Sequence, residues 1–484
     1  MMRLLALSSV VLAASAAGQA MDHHGMTMPQ ASPQKVEDAS GSMSYPVNTV
    51  QEPEALELRT GEMLPAPELL TDVMKRPAMT LQEWLEFAEA HQPSLLEARA
   101  AVAHSEQQAR QAALPPNPTI GYSGEHIRGG SYHGGEEGAF FQQEVVLGRK
   151  LALRRDALRA EGRANEMGVE VQRARVRNDV AQRFFDTLRA QTEVTLRDRM
   201  LQRSLDAETN AHELMRVGQA DAADVLKAEI SAEQAKIEFS EAQRVFLASF
   251  AQLAATAGKP GMDAQPVGGK LTEPPVLDVA LLAGATTEDS PAVQQAQAAV
   301  AVAEARVQAA KREAMPNLTV TAGEWYSGER LDGTNKAAGW MGFAQAGVQV
   351  PLWNRNQGGV GAAKAEVSRA QASVVRTQLN TRARVATVAQ QYEQARFTAD
   401  RYRTQMLPRA RRAYELEVMK YQQMGQTYAK VLDAQGMLYS LQLGYVKALQ
   451  AQWSAAISLQ NFALDGALDS PSIAGWSAPM EMSK

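Results

Sequence analysis

The residues best suited to chemistry stand near the start of the chain, in Met21-Asp22-His23-His24-Gly25-Met26-Thr27-Met28. Thioether sulfur and imidazole nitrogen together suit Cu(I), and imidazole also suits Zn(II). His23, His24, Met26 and Met28 are therefore the candidate metal ligands, on a segment able to hold a cation weakly. Further on, His91, His104, His126, His133 and His212 are scattered over different stretches. No Ser/His/Asp pattern, phosphate loop or clustered metal set stands out among them. The chain reads as one without catalysis and without a cofactor. A pair of carboxylates, Glu415 and Glu417, lies about two helical turns before the glycine at 425.

The elements that carry these residues begin after an address. Met1, Met2 and Arg3 precede an apolar run over 4–17, and small residues follow in Ala14-Ser15-Ala16 and Gly18-Gln19-Ala20. Residues 1–20 read as a secretory signal cleaved near Ala20, too short for a spanning helix. No later stretch reaches about 18 uninterrupted apolar residues, so no helix is expected to cross a membrane. The 484 residues include no cysteine, which leaves packing and assembly, rather than disulfides or a lipid on an N-terminal cysteine, to hold an exported protein. The net charge of −5 is mixed in sign and gives no reason to expect nucleic acid. Residues 21–78, rich in Pro, Met, Glu and Ser, read as a flexible lead that includes the Met/His segment.

Order begins near 79, where Thr80 and Glu83 have the spacing of a capping box. From there one plan is traversed twice, returning roughly 200 residues later. The expected division is a first repeat over 79–260, a linker over 261–289, a second repeat over 290–467 and a tail over 468–484. Pro93 and Pro291 each open a helix. Each helix leads through Pro116-Asn117 or Pro316-Asn317 to two alternating stretches, 119–127 with 139–146 and 318–326 with 340–352, around Gly-rich tips over 128–138 and 328–339. A very long helical pattern follows each hairpin. Val169, Val176, Val180, Phe184 and Leu188 form one seam; Ala363, Val367, Ala370 and Val374, then Val385, Val388, Tyr392 and Ala395, form the other. Pro408 is placed to kink the second helix. Gly218 and Gly425 end the long patterns. Two matching return helices follow, Ala223-Asp224-Val225-Leu226-Lys227-Ala228-Glu229 and Ala429-Lys430-Val431-Leu432-Asp433-Ala434-Gln435.

A helix of such length needs parallel neighbours along its whole extent. The strands alternate and approach the length that crosses an outer membrane when tilted. Four strands leave open edges, which lipid does not tolerate, and closed barrels begin at about eight strands. Transmembrane strands would thus have to be pooled between chains. The fold class is mainly α with a small β part, built of duplicated long helical hairpins and a four-strand contribution to a shared transmembrane barrel. The different-class alternative is a periplasmic structural coiled-coil spacer with soluble hairpins.

Met79-Thr80-Leu81-Gln82-Glu83-Trp84 through Gln92-Pro93-Ser94-Leu95, the Pro-Asn turns into the hairpins, and Gly425 leading to Val431-Leu432-Asp433-Ala434 resemble the TolC-type outer-membrane efflux proteins. The resemblance covers about 79–467. It implies a homotrimer in outer-membrane lipid, with a twelve-stranded barrel and a periplasmic helical tunnel. It also implies docking to a periplasmic adaptor and an inner-membrane pump, the RND type among the candidates. By that resemblance Val217, Gly218, Gln219 and Asp221, with Met424, Gly425, Gln426 and Thr427, are the candidate adaptor-docking tips. Glu415 and Glu417 are candidates for an acidic ring in the lumen; a solvated outer face is the other reading. The Met/His segment resembles tracts around heavy-metal efflux systems of the CusC and CzcC branch, so copper, zinc or cobalt is one expected cargo and organic compounds or drugs the other. The missing lipidation cysteine departs from many of those relatives.

Overall fold

Helix α1 (Leu81–His91) starts where its sequence says it should. Thr80 accepts from the Glu83 N–H while the Glu83 carboxylate takes the Thr80 N–H at 2.7 Å, a complete capping box. The computed structural model of the chain describes residues 72–127, 135–218, 220–279, 289–330, 336–423 and 427–472. The expected signal and the Met/His segment with His23, His24, Met26 and Met28 lie outside the described residues, as do Gln219, Met424, Gly425 and Gln426.

Helix α2 (Pro93–Ala112) has its proline in the first turn, and so does α5 (Pro291–Arg312) of the second copy. The first hairpin is β2 (Thr119–Glu125) with β3 (Glu136–Val145). Helix α3 (Lys150–Arg216) follows with 67 residues, about 100 Å at 1.5 Å per residue. Helix α4 (Ala222–Thr256) runs back. In the second copy, β5 (Leu318–Arg330) and β6 (Ala337–Val348) precede α6 (Gln357–Arg401). A π-helical turn over Tyr402–Met406 joins α6 to α7 (Leu407–Gln422), and α8 (Tyr428–Gln460) returns. The break falls where Pro408 predicts one. Its ring crowds the carbonyl four residues back, and the ladder widens there, Leu407 N–H bonding to Tyr402 O.

The strands differ from expectation at the hairpin ends. β3 starts at Glu136 and β5 runs on to Arg330, while 349–352 leave the sheet. The tip residues pair because β3 lies between two partners and is held on both sides. All four strands form one antiparallel sheet in the order β2-β3-β5-β6. The two hairpins thus fuse through β3 and β5, leaving β2 and β6 as open edges. A separate parallel pair joins β1 (Met79–Thr80) to β4 (Val267–Gly268).

The core sits midway along the helices. Trp84, Leu95, Val176, Val180, Phe184, Phe250 and Leu253 are all buried in it, and Phe185 stacks on Trp453 at 3.9 Å. Buried polar groups fix the long helix in register there. Gln172 Nε2 donates to Ser94 Oγ at 2.8 Å and to Ala467 O at 3.0 Å, while Asp179 accepts the Gly466 and Ala467 N–H groups at 3.0 and 2.7 Å. Each bond satisfies a group that would otherwise be costly to bury.

Candidate functional site

Side chains alternate across a strand, so directly paired residues share a face. One face of the sheet carries Ile120, Tyr122, Phe141, Val145, Val320, Tyr326, Trp340 and Val348, all exposed, with Ile120 79 % and Trp340 72 % accessible. Glu137, Gln143 and Glu324 interrupt it. The opposite face carries Thr119, Ser123, Glu125, Glu136, Gln142, Thr319, Thr321, Ser327 and Gln345, with Trp325 and Phe343 packed ring to ring at 4.6 Å. An apolar face bearing aromatic rings, backed by a polar face, is the pattern of a strand between lipid and water. Among the described residues no helix is long and apolar enough to cross a membrane.

The junction between sheet and helices is braced by Lys150, Glu144, Arg154 and Glu313, which no spacing in the sequence singles out, and by Asn317 of the second Pro-Asn turn. Lys150 Nζ donates to Asn317 Oδ1 at 2.9 Å, and Asn317 Nδ2 donates to Glu144 Oε1 at 2.6 Å. The Asn of the second Pro-Asn turn thus ties both copies together. Arg154 grips Glu313 through two bonds at 3.0 and 3.1 Å. In both copies the residue before the long helix, Arg149 or Asn356, is left-handed at φ 59° and 55°. Only the Asn signals this from its type.

At the other end, the described parts of the two helical hairpins meet where α8 begins beside α3. Gly218 has φ 75°, the left-handed conformation expected of a helix-ending glycine. Val217 beside it is exposed, and Asp221 caps α4 by accepting the Asp224 N–H at 2.8 Å. Thr427 caps α8 without a side-chain bond. Next to it the Tyr428 hydroxyl bonds Asn210 of α3. Burial pushes the Tyr428 phenol above its ordinary pKa, partly offset by that bond. His212 on α3 meets Glu229 on α4 at 3.2 Å.

Glu415 and Glu417 stand on α7, each with a cation one turn away. Arg412 lies 3.3 Å from Glu415 and Lys420 2.9 Å from Glu417. Arg409 and Arg411 add positive charge to the same helix. The expected scatter of histidines needs correction at His126. Cross-strand pairing brings Glu136 beside Glu125, and His126 follows directly, so three potential metal ligands converge. Residues 126–135 separate Glu125 from Glu136 along the chain, which hides the cluster in the sequence.

Comparison with known proteins converges on one family. The pattern of the family described as "Outer membrane efflux protein" matches residues 84–259 and 282–463. The cobalt-zinc-cadmium resistance protein CzcC of Cupriavidus metallidurans is 23 % identical over 381 residues, 79 % of this chain and 89 % of that protein. Among solved structures, CusC shares the fold at TM-score 0.64 and 17 % identity, over 80 % of this chain and 92 % of its own. VceC of Vibrio cholerae does so at TM-score 0.63 and 20 % identity, over 80 % and 96 %.

Proposed function

This chain belongs to the outer membrane efflux protein family, and from that premise we propose that three copies close a transmembrane barrel and a helical tunnel through which metal cations leave the periplasm. One observation carries the barrel: a four-stranded sheet with an exposed apolar face and two open edges, β2 and β6. Lipid requires every backbone polar group to be paired. Pairing β2 of one copy with β6 of the next removes both edges, and three copies pool twelve strands, enough to close. The apolar face then meets lipid and the polar face lines the lumen.

The helical tips, furthest from the sheet, are the surface we assign to a periplasmic adaptor and, through it, an inner-membrane pump. Val217, Gly218, Gln219 and Asp221 with Met424, Gly425, Gln426 and Thr427 are the proposed contacts. Asp221 also caps its helix, so its role there is structural as well. Glu415 and Glu417 favour cations only as far as Arg412 and Lys420 leave their charge unbalanced, since pairs this exposed are weak. The chain acts as a duct rather than a catalyst.

The metal cargo is supported by the similarity to CzcC and by the Met/His segment over 21–28. The test is a deletion strain challenged with zinc, cobalt and copper salts and, in parallel, with dyes. Sensitivity to one or more of the metals is expected. Sensitivity confined to dyes would overturn the metal cargo and assign the duct to organic compounds.

A further inference from the structure

We propose that Glu125, His126 and Glu136 form a divalent-cation site at the end of the sheet furthest from the helices. One ligand atom from each of the three lies within 4.8 Å of the others. The His126 Nδ1 is 4.0 Å from Glu136 Oε2. Metal–ligand distances of about 2.0–2.2 Å put tetrahedral donors about 3.4 Å apart, a closure that rotation of the exposed Glu125 and His126 side chains supplies.

Three features of the backbone build this site. Glu125 and Glu136 are direct cross-strand partners on the polar face, and like charges directly opposed destabilise a sheet unless a cation lies between them. Glu136 pairs in turn with Ser327, whose fully buried hydroxyl donates to Glu136 Oε1 at 3.3 Å. That bond orients the carboxylate and leaves Oε2 toward the histidine, as an outer partner orients a metal ligand. Finally, His126 is left-handed at φ 54°, and Gly135 across from it at φ 72°. The Gly135 carbonyl accepts the Gly328 N–H at 2.9 Å, tying the turn to β5.

One imidazole and two carboxylates suit Zn(II) or Co(II) better than Cu(I), which prefers sulfur. The site therefore differs in chemistry from the Met/His segment over 21–28. Its placement in the outer mouth of the lumen rests on the barrel proposed above. Binding does not, because all the ligands come from one chain.

The test uses detergent-purified full-length protein in which His23, His24, Met26 and Met28 are all changed to alanine. CoCl2 is titrated by equilibrium dialysis, with the visible d–d absorption of bound Co(II) recorded alongside. One Co(II) per chain is expected. His126→Ala, Glu125→Gln and Glu136→Gln should each weaken it by about tenfold or more, since losing a ligand costs at least as much as losing an outer partner. Absence of binding, or equal affinity in His126→Ala, would overturn the proposal. Glu136→Gln also alters the Ser327 bond, so His126→Ala and Glu125→Gln, both on exposed side chains, decide if that variant misassembles. Co(II) binding alongside a deletion strain indifferent to metals would uphold the site and sink the metal cargo. A metal-sensitive strain whose protein binds no Co(II) would do the reverse.

Discussion

The two copies of the plan are built on the same rhythm and are buried very differently. Helix α3 runs through the interior, against α2, α4, α5 and α8, and Val169, Val176, Val180, Phe184 and Leu188 are all buried. Helix α6 packs mainly on α5 and α8. Its outer seam, Ala363, Val367, Ala370 and Val374, is only half-buried. Val375, Leu379 and Phe397 stand exposed at 55, 59 and 57 %. Further along α6, Val385, Tyr392 and Ala395 are buried, so it is the stretch of the second copy over 363–379 whose apolar residues lack partners within one chain. The sheet shows a related contrast, with β3 and β5 paired on both sides while β2 and β6 each keep one open edge.

Substitutions within each seam separate the roles of the two copies. Phe184→Ala should destabilise the chain itself by about 3–5 kcal/mol, the usual cost of emptying an aromatic core site. It should lower the midpoint of helix loss followed by circular dichroism. Val375→Asp with Leu379→Asp should leave the helix content of the chain unchanged and abolish the oligomer on a semi-native gel. Oligomers that survive that double change would show that this face of α6 is not covered by another copy.

Smaller changes sharpen the picture at the ends. Gly218→Ala forces an L side chain into a left-handed conformation, although nothing lies within 4 Å of the added carbon. The cost is then about 1–2 kcal/mol of backbone strain alone. It should appear as faster amide exchange confined to the last turns of α3 and the first of α4. Thr80→Ala should weaken the start of α1 by about 1 kcal/mol, the value of an N-cap. The Thr80 backbone N–H, and then its hydroxyl, hold the Glu83 carboxyl below the ordinary carboxylate range. A depressed carboxyl contributes stability above its ordinary pKa and loses it as pH falls through the lowered folded value. The difference between Thr80→Ala and the unaltered chain should therefore shrink in acid, as measured by thermal melting against pH.

Much of the helical part is legible in the sequence for a physical reason. Val176, Val180, Phe184 and Leu188 recur at the pitch of the helix, and Pro93, Pro291 and Gly218 mark ends that their backbones require. The pairing of β3 with β5 is not legible, because its partners, such as Glu136 and Ser327, stand far apart along the chain and no periodicity links them. Asn317 likewise looks like a turn residue until it is seen holding Lys150 and Glu144. His126 looks isolated for the same reason: strand pairing, not spacing, supplies its neighbours. The tips are readable as turns, and their assignment to an adaptor rests on resemblance rather than on any residue type.

In the proposed assembly one chain holds a third of a closed barrel. Light scattering on the detergent-extracted full-length protein, corrected for bound detergent, tests it most directly. Three chains per particle are predicted, dissociating to one on boiling in dodecyl sulfate. A single chain per particle, or a protein that stays dispersed with no detergent at all, would contradict it.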